Sequence, residues 1–224
     1  MTRPAPAAPP ATWWLRMGHD LRGPVAPIRM AVQMLRMGPM DHAEQADTLK
    51  LLDRQIDLLL ANIEDMSELL RINAGTFEIN PVHADLGDCL EFLEGRSALM
   101  RELKHAGTTL LIASWPSPLI APHDPHYLVT VLEFFVSRFA RHARGGTVRL
   151  SLKPGPGIVL WSIDADATTL ADDAEFQYVI GNSLAVDECE GRALLARELA
   201  VLHGLEFLPM TAGTGLVFSM PVQT

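Results

Sequence analysis

One imidazole and one carboxylate stand side by side in the run His19-Asp20-Leu21-Arg22-Gly23-Pro24. Histidine titrates near neutral pH, and its neutral ring offers a nitrogen that works as base, ligand or nucleophile. The apolar residues Leu21, Val25, Ile28, Val32 and Leu35 recur at alternating steps of four and three, the spacing of a narrow helical seam. His19 precedes Leu21 by two residues, which turns it roughly 160° from that seam. The ring therefore faces solvent, where a partner can reach it, with Asp20 adjacent. Pro24 and Pro27 disturb the helix one to two turns later. On its own, an exposed histidine is also an ordinary surface residue.

Other groupings carry less chemistry. His123-Asp124-Pro125-His126 has two metal-ligand types, but Asp then Pro is also a helix start, with Asp as the cap and Pro in the first turn. No further Cys or His completes a tetrahedral set, so no metal is expected. Asp164 stands at the end of an apolar run and is read as the residue that ends a strand. Arg138, Arg141 and Arg144 form a small basic cluster that suits the carboxyl end of a helix. Cys89 and Cys189 lie far apart in a chain without a secretory signal and are read as reduced thiols. Trp13 and Trp14 stand at the start of the first helix and are read as stapling it or as a docking patch, and Met30, Met34, Met37 and Met40 are read as filling of a helical bundle.

The elements that position these groups follow from periodicity. Residues 1–10 are too rich in Pro to pack and are expected to be disordered. A first helix runs from Thr12 to Gly38-Pro39, and a second carries the heptad Leu49, Leu52, Ile56, Leu59, Ile63, Met66 and Leu70 before ending near Gly75. Two long helices with a short connection make an antiparallel hairpin over 11–76. One hairpin cannot cover such seams, so two copies are expected to pair as a four-helix bundle. Over 77–224 the pattern becomes mixed. Strands are expected at 77–79, 108–113, 148–153, 158–164, 205–209 and 216–222. Helices are expected at 86–103, 124–142 and 189–203, with a loop over 165–187. That order fits a two-layer α/β sandwich, giving an α plus α/β chain of 224 residues.

The His19–Pro24 run, followed by Val25-Ala26-Pro27-Ile28 and a helical hairpin, resembles the phosphoacceptor segment of two-component histidine kinases. Arg54-Gln55-Ile56 and the stretch from Asp65 to Gly75 are similar to that family's second helix and its exit. The later elements resemble its ATPase domain in order and spacing. The resemblance implies that His19 takes a phosphoryl group on a neutral ring nitrogen. Asp20 would bond the other nitrogen and support the cation that forms. It also marks departures. Gly23 stands where the family's phosphatase activity uses Thr or Asn to orient water. Arg138 stands where an Asn holds Mg²⁺, and a guanidinium has donors only. Asp164 aligns with the adenine-reading Asp, but Asp166 and Thr168 replace the glycines after it. Gly191-Arg192-Ala193-Leu194 aligns with the second glycine loop, with Ala where close backbone approach is needed.

These features imply a degenerate nucleotide site near Arg138, Asp164 and Gly191, and no cofactor of the chain's own. The function expected is that of a histidine phosphotransferase of a phosphorelay, similar to the kinase-like phosphotransferases of bacteria. His19 would carry a phosphoryl group between response-regulator receiver domains, which supply Mg²⁺. The alternatives are a diverged ATP-dependent histidine kinase and a non-catalytic adaptor that binds a kinase or regulator. A net charge of −9 argues against nucleic acid as a partner. No window approaches the ~18 apolar residues of a membrane span, and the expected compartment is the cytoplasm.

Overall fold

The two seams fold as two helices. The computed structural model describes residues 11–222 other than 39, 144, 167–169, 184–188 and 209–214. The proline-rich tail over 1–10 and the side chains of Trp13 and Trp14 lie outside the described residues. Helix α1 spans Ala11–Arg36 and continues through both Pro24 and Pro27. Helix α2 spans His42–Asn73. Its start is a capping box: the Glu44 N–H donates to the Asp41 carboxylate at 2.7 Å, and the Glu44 carboxylate accepts the Asp41 N–H at 3.4 Å. The helices pack as a hairpin that buries Met17, Ala31, Leu69 and Ile72. On α2, however, Leu49, Ile56, Leu58, Leu60 and Ile63 stay between 42% and 53% exposed in the single chain.

Contacts divide the chain into two compact units, residues 1–77 with 186–195 and residues 78–185 with 196–224. In the second unit, strand β1 (Val82–Asp85) pairs antiparallel with β3 (Ile120–His123). The main sheet has five strands in the order β2-β4-β5-β7-β6. They span Thr109–Ile112 (β2), Thr147–Gly155 (β4), Ile158–Ala165 (β5), Glu206–Leu208 (β6) and Gly215–Pro221 (β7). Only β2 and β4 run parallel; the other neighbours are antiparallel. Val159, Trp161, Ile163 and Ala165 of β5 alternate with half-exposed residues, so one face of the sheet is buried. Helix α5 (Pro125–Ala143) lies on that face and buries ten residues. Phe135 sits edge-on to Phe176 and Phe207, and Trp161 stacks on Phe218 at 5.8 Å. This is a helical hairpin followed by a mixed α/β domain. No described helix is long and apolar enough to cross a membrane.

Several boundaries differ from the periodicity. The strand expected over 77–79 does not form; Phe77 is buried under the Arg71 guanidinium instead, 5.5 Å from its ring centre. The helix expected over 86–103 is two, α3 (Leu86–Glu94) and α4 (Ser97–Ala106), separated by Gly95-Arg96. The loop expected over 165–187 contains α6 (Ala174–Val179), capped by Asp173, whose carboxylate accepts the Phe176 N–H at 2.8 Å. Helix α7 spans Gly191–Leu202.

His203, just past α7, ties two elements of the second unit together. Its Nδ1–H donates to the Leu199 carbonyl at 2.8 Å, leaving Nε2 to accept the Asp124 N–H at 3.3 Å before α5. Burial pushes its pKa below the ordinary 6.5, with the nearby His123 acting in the same direction; the bond to the Leu199 carbonyl and the Asp124 charge partly oppose the shift. The unfolded chain therefore takes up a proton before the folded one does. Stability from this group is complete above pH 6.5 and falls as pH drops from there through the lowered folded value. Urea unfolding should show a loss of up to about 1.4 kcal/mol per pH unit in that window. His203→Gln should make this slope shallower, and an unchanged slope would remove His203 as its source.

Candidate functional site

Helix α1 presents His19 to solvent, as its position opposite the seam requires: the side chain is 80% exposed, whereas Asp20 is only 18% exposed. Asp20 Oδ1 lies 3.6 Å from His19 Nδ1, slightly beyond hydrogen-bond length. A small side-chain rotation would close that gap. The nearer nitrogen is Nδ1, so Nε2 is the atom left open to an incoming group. Gly23 borders open space: a Cβ added there would find no atom within 4 Å. Its lack of a side chain is thus not imposed by packing.

Asp20 is engaged on two further sides. Its backbone carbonyl accepts the Asn62 side-chain amide of α2 at 2.9 Å. Its Oδ2 accepts the Gly191 N–H at 3.3 Å, within the same compact unit. In that unit Arg192 also pairs with the buried Asp65 at 2.7 Å. Gly191, expected beside a nucleotide, therefore opens α7 against Asp20. Nothing in the sequence pattern singled out Asn62 or Asp65.

The second unit holds the other residues singled out by the resemblance, and they do not converge. Arg138, on the carboxyl half of α5, is 14% exposed. It forms an ion pair with Glu175 of α6 and lies 3.6 Å from Asp173, which also contacts His142 at 3.0 Å. The guanidinium lies over the Phe134 ring, 5.4 Å from its centre. These carboxylates are nearly buried, and Arg138 is the charge that makes their burial tolerable. Asp164 stands on the other face of the sheet from α5, in register with Arg149, which it binds at 3.0 Å. Arg149 also holds Asp166 at 2.6 Å, and these bonds draw the Asp166 pKa below the usual carboxylate value. Ala165, not Asp164, faces the helices. Thr168 lies outside the described residues. A cavity of about 560 Å³ opens at the amino end of α5, between Val82, Phe92, Arg96 and Val129, more than two helical turns from Arg138.

The His123–His126 run is a helix start. His123 is fully buried: Nδ1–H donates to the Ala121 carbonyl at 2.9 Å and Nε2 faces the Cys89 thiol at 3.2 Å. Burial pushes the Cys89 thiol up to about 12, so it stays protonated. Asp124 caps the chain entering α5 by accepting the Asn80 and Tyr127 N–H groups at 2.9 and 3.4 Å. Among the described residues no group of three or more His, Cys, Asp or Glu side chains is arranged to hold a metal ion.

Comparison with known proteins agrees with this anatomy. Residues 16–75 match the His Kinase A (phospho-acceptor) domain. A hybrid signal transduction histidine kinase E of Dictyostelium discoideum is 27% identical over 137 residues, which are 61% of this chain and 8% of that protein. The chain thus spans less than a tenth of that relative. Among solved structures, the histidine kinase AdeS of Acinetobacter baumannii has a TM-score of 0.65 at 15% identity, over 92% of this chain and 98% of that one. Histidine kinase ThkA, solved in complex with the response regulator protein TrrA, has a TM-score of 0.62 at 13% identity, over 95% of this chain and 62% of that one. A bacterial phosphotransferase has a TM-score of 0.51 at 14% identity, over 96% and 99% of the two chains. The fold is a helical hairpin followed by a mixed α/β domain that resembles the catalytic domain of histidine kinases. Residues 16–75 are thus similar to the His Kinase A domain, and the chain as a whole is similar in fold to histidine kinases.

Proposed function

We propose that the protein is a histidine phosphotransferase of a two-component phosphorelay, working without ATP in the cytoplasm. His19 Nε2 attacks the phosphorus of a receiver aspartyl phosphate. The P–O bond to the aspartate breaks, the aspartate leaves as a carboxylate, and an N–P bond forms. The second receiver reverses the step. Asp20, on the Nδ1 side, holds the ring and its remaining proton. The receiver brings the Mg²⁺ that stabilises the transferring group. The partners are response-regulator receiver domains and a second copy of the chain. The likeness to ThkA, solved with a response regulator, and to a phosphotransferase of almost the same extent supports this choice.

The observation that carries the reading is Arg138. At the position where the resemblance requires a metal-holding Asn, it offers donors only and directs them to Glu175 and Asp173. These residues do not fit Mg²⁺–nucleotide. Titration calorimetry should accordingly find no saturable ATP–Mg²⁺ binding below about 1 mM, or roughly −4 kcal/mol. Arg138→Asn should not restore it. That change takes the guanidinium away from two near-buried carboxylates and should destabilise the domain by about 3 to 5 kcal/mol. A micromolar dissociation constant for the unmodified protein would refute this part of the reading.

The second reading, an ATP-dependent histidine kinase, is favoured by the whole catalytic fold being present, with its five-stranded sheet. Labelling of His19 by ATP would establish it.

A further inference from the structure

Pro24 has no N–H, so the helical turn that carries His19 and Asp20 lacks one bond of its ladder. In an α-helix the N–H of residue 24 would donate to the carbonyl of residue 20. Helix α1 nevertheless continues through Pro24. The freed Asp20 carbonyl is part-buried, and a part-buried acceptor left empty is costly. Here it is filled from the other helix: Asn62 Nδ2 of α2 donates to it at 2.9 Å, across 42 residues of sequence. Asn62 is itself half-buried in the hairpin, which limits its freedom.

We propose that Asn62 is the positioning residue of the phosphoacceptor turn, its amide standing in for the N–H that Pro24 lacks. The bond fixes the Asp20 backbone between α1 and α2. The Asp20 side chain starts from that backbone and is the group beside His19 Nδ1. A backbone free to tilt at Asp20 would move the carboxylate relative to the ring, and a displacement on the order of 1 Å is enough to slow a reaction substantially. The bond also pins α2 to α1 at the depth of the reacting residue, so the hairpin and the site share one anchor. The structural part stands by itself; the effect on transfer rests on the phosphotransferase reading.

The test is a double-mutant cycle on the full chain with Asn62→Leu, Pro24→Ala and both together. Leu has the shape of Asn without its donor, and Pro24→Ala restores an N–H that can serve the Asp20 carbonyl within α1. The direct readout is the carbonyl carbon resonance of Asp20 with that of the His19 ring. Asn62→Leu should shift both when Pro24 is present and neither in the Pro24→Ala background. With a phosphorylated receiver as donor, Asn62→Leu should slow transfer about tenfold at saturating receiver while leaving half-saturation unchanged, again only when Pro24 is present. Shifts of equal size in both backgrounds, or none in either, overturn the proposal whatever the donor proves to be. If the unmodified protein takes no label from any receiver, the phosphotransferase reading fails. The resonance cycle still decides whether Asn62 holds the turn.

Discussion

His19→Ala is expected to abolish phosphoryl labelling of the chain and to leave its fold untouched. The ring is 80% exposed, so removing it empties no core and loses only its approach to Asp20. Ala is also a better helix former than His. Thermal or urea unfolding of the variant should therefore match the unmodified protein to within about 0.5 kcal/mol. Labelling, by contrast, falls to background, because the nucleophilic nitrogen itself has been removed. Asp20→Asn is the informative partner variant. It keeps a hydrogen-bonding group near Nδ1 but removes the charge that favours the cationic ring formed during transfer. Transfer should slow by about tenfold to a hundredfold, with receiver docking intact. Quench-flow measurement of acid-labile label on both variants checks the pair. Equal rates for Asp20→Asn and the unmodified protein would remove Asp20 from the chemistry.

Ile63→Asp is expected to turn a dimer into a monomer. Leu49, Ile56, Leu58, Leu60 and Ile63 are 42–53% exposed on α2 of a single chain, although the capping box and the apolar heptad make it a well-formed helix. Burying such a side chain from full exposure gains about 1.5 to 3 kcal/mol, and about half of that is still to be gained at each of these five half-exposed residues, which together favour pairing. A carboxylate placed among them in a paired bundle lacks a partner and costs several kcal/mol. Multi-angle light scattering at micromolar concentration should give a dimer for the unmodified chain and a monomer for Ile63→Asp. A monomeric unmodified chain would contradict the bundle.

Residue spacing made the hairpin readable, and it also placed His19 on the exposed side of its helix. The seam of α1 defines an inside, and His19 is placed by its distance from Leu21 alone. The α2 start could have been read as well, since Asp41 and Glu44 stand three apart, the spacing of a capping box. The α/β half was harder for physical reasons. Apolar residues continue across Gly95-Arg96, so α3 and α4 read as one helix. Strand β3 contains Pro122 and pairs only with the short β1, which leaves no alternation long enough to see. Helix α6 has six residues, too few to show a period. Asp164 could have been placed by alternation: with Ile163 and Ala165 inward, it must face outward, toward Arg149. The bonds that matter most were invisible because they are tertiary. Arg138 meets Glu175, and Asp20 meets Asn62, across tens of residues with no local signature.

The central claim is that His19 receives its phosphoryl group from a receiver aspartate and not from ATP. The direct measurement is a side-by-side incubation of the purified chain with radiolabelled phosphorylated receiver domains or with γ-labelled ATP and Mg²⁺, with His19→Ala as the control in each arm. Acid-labile label should appear on the unmodified chain in the receiver arm alone, with a matching loss from the receiver and no label on His19→Ala. Label from ATP, label that never leaves any cognate receiver, or equal label on His19→Ala would contradict it.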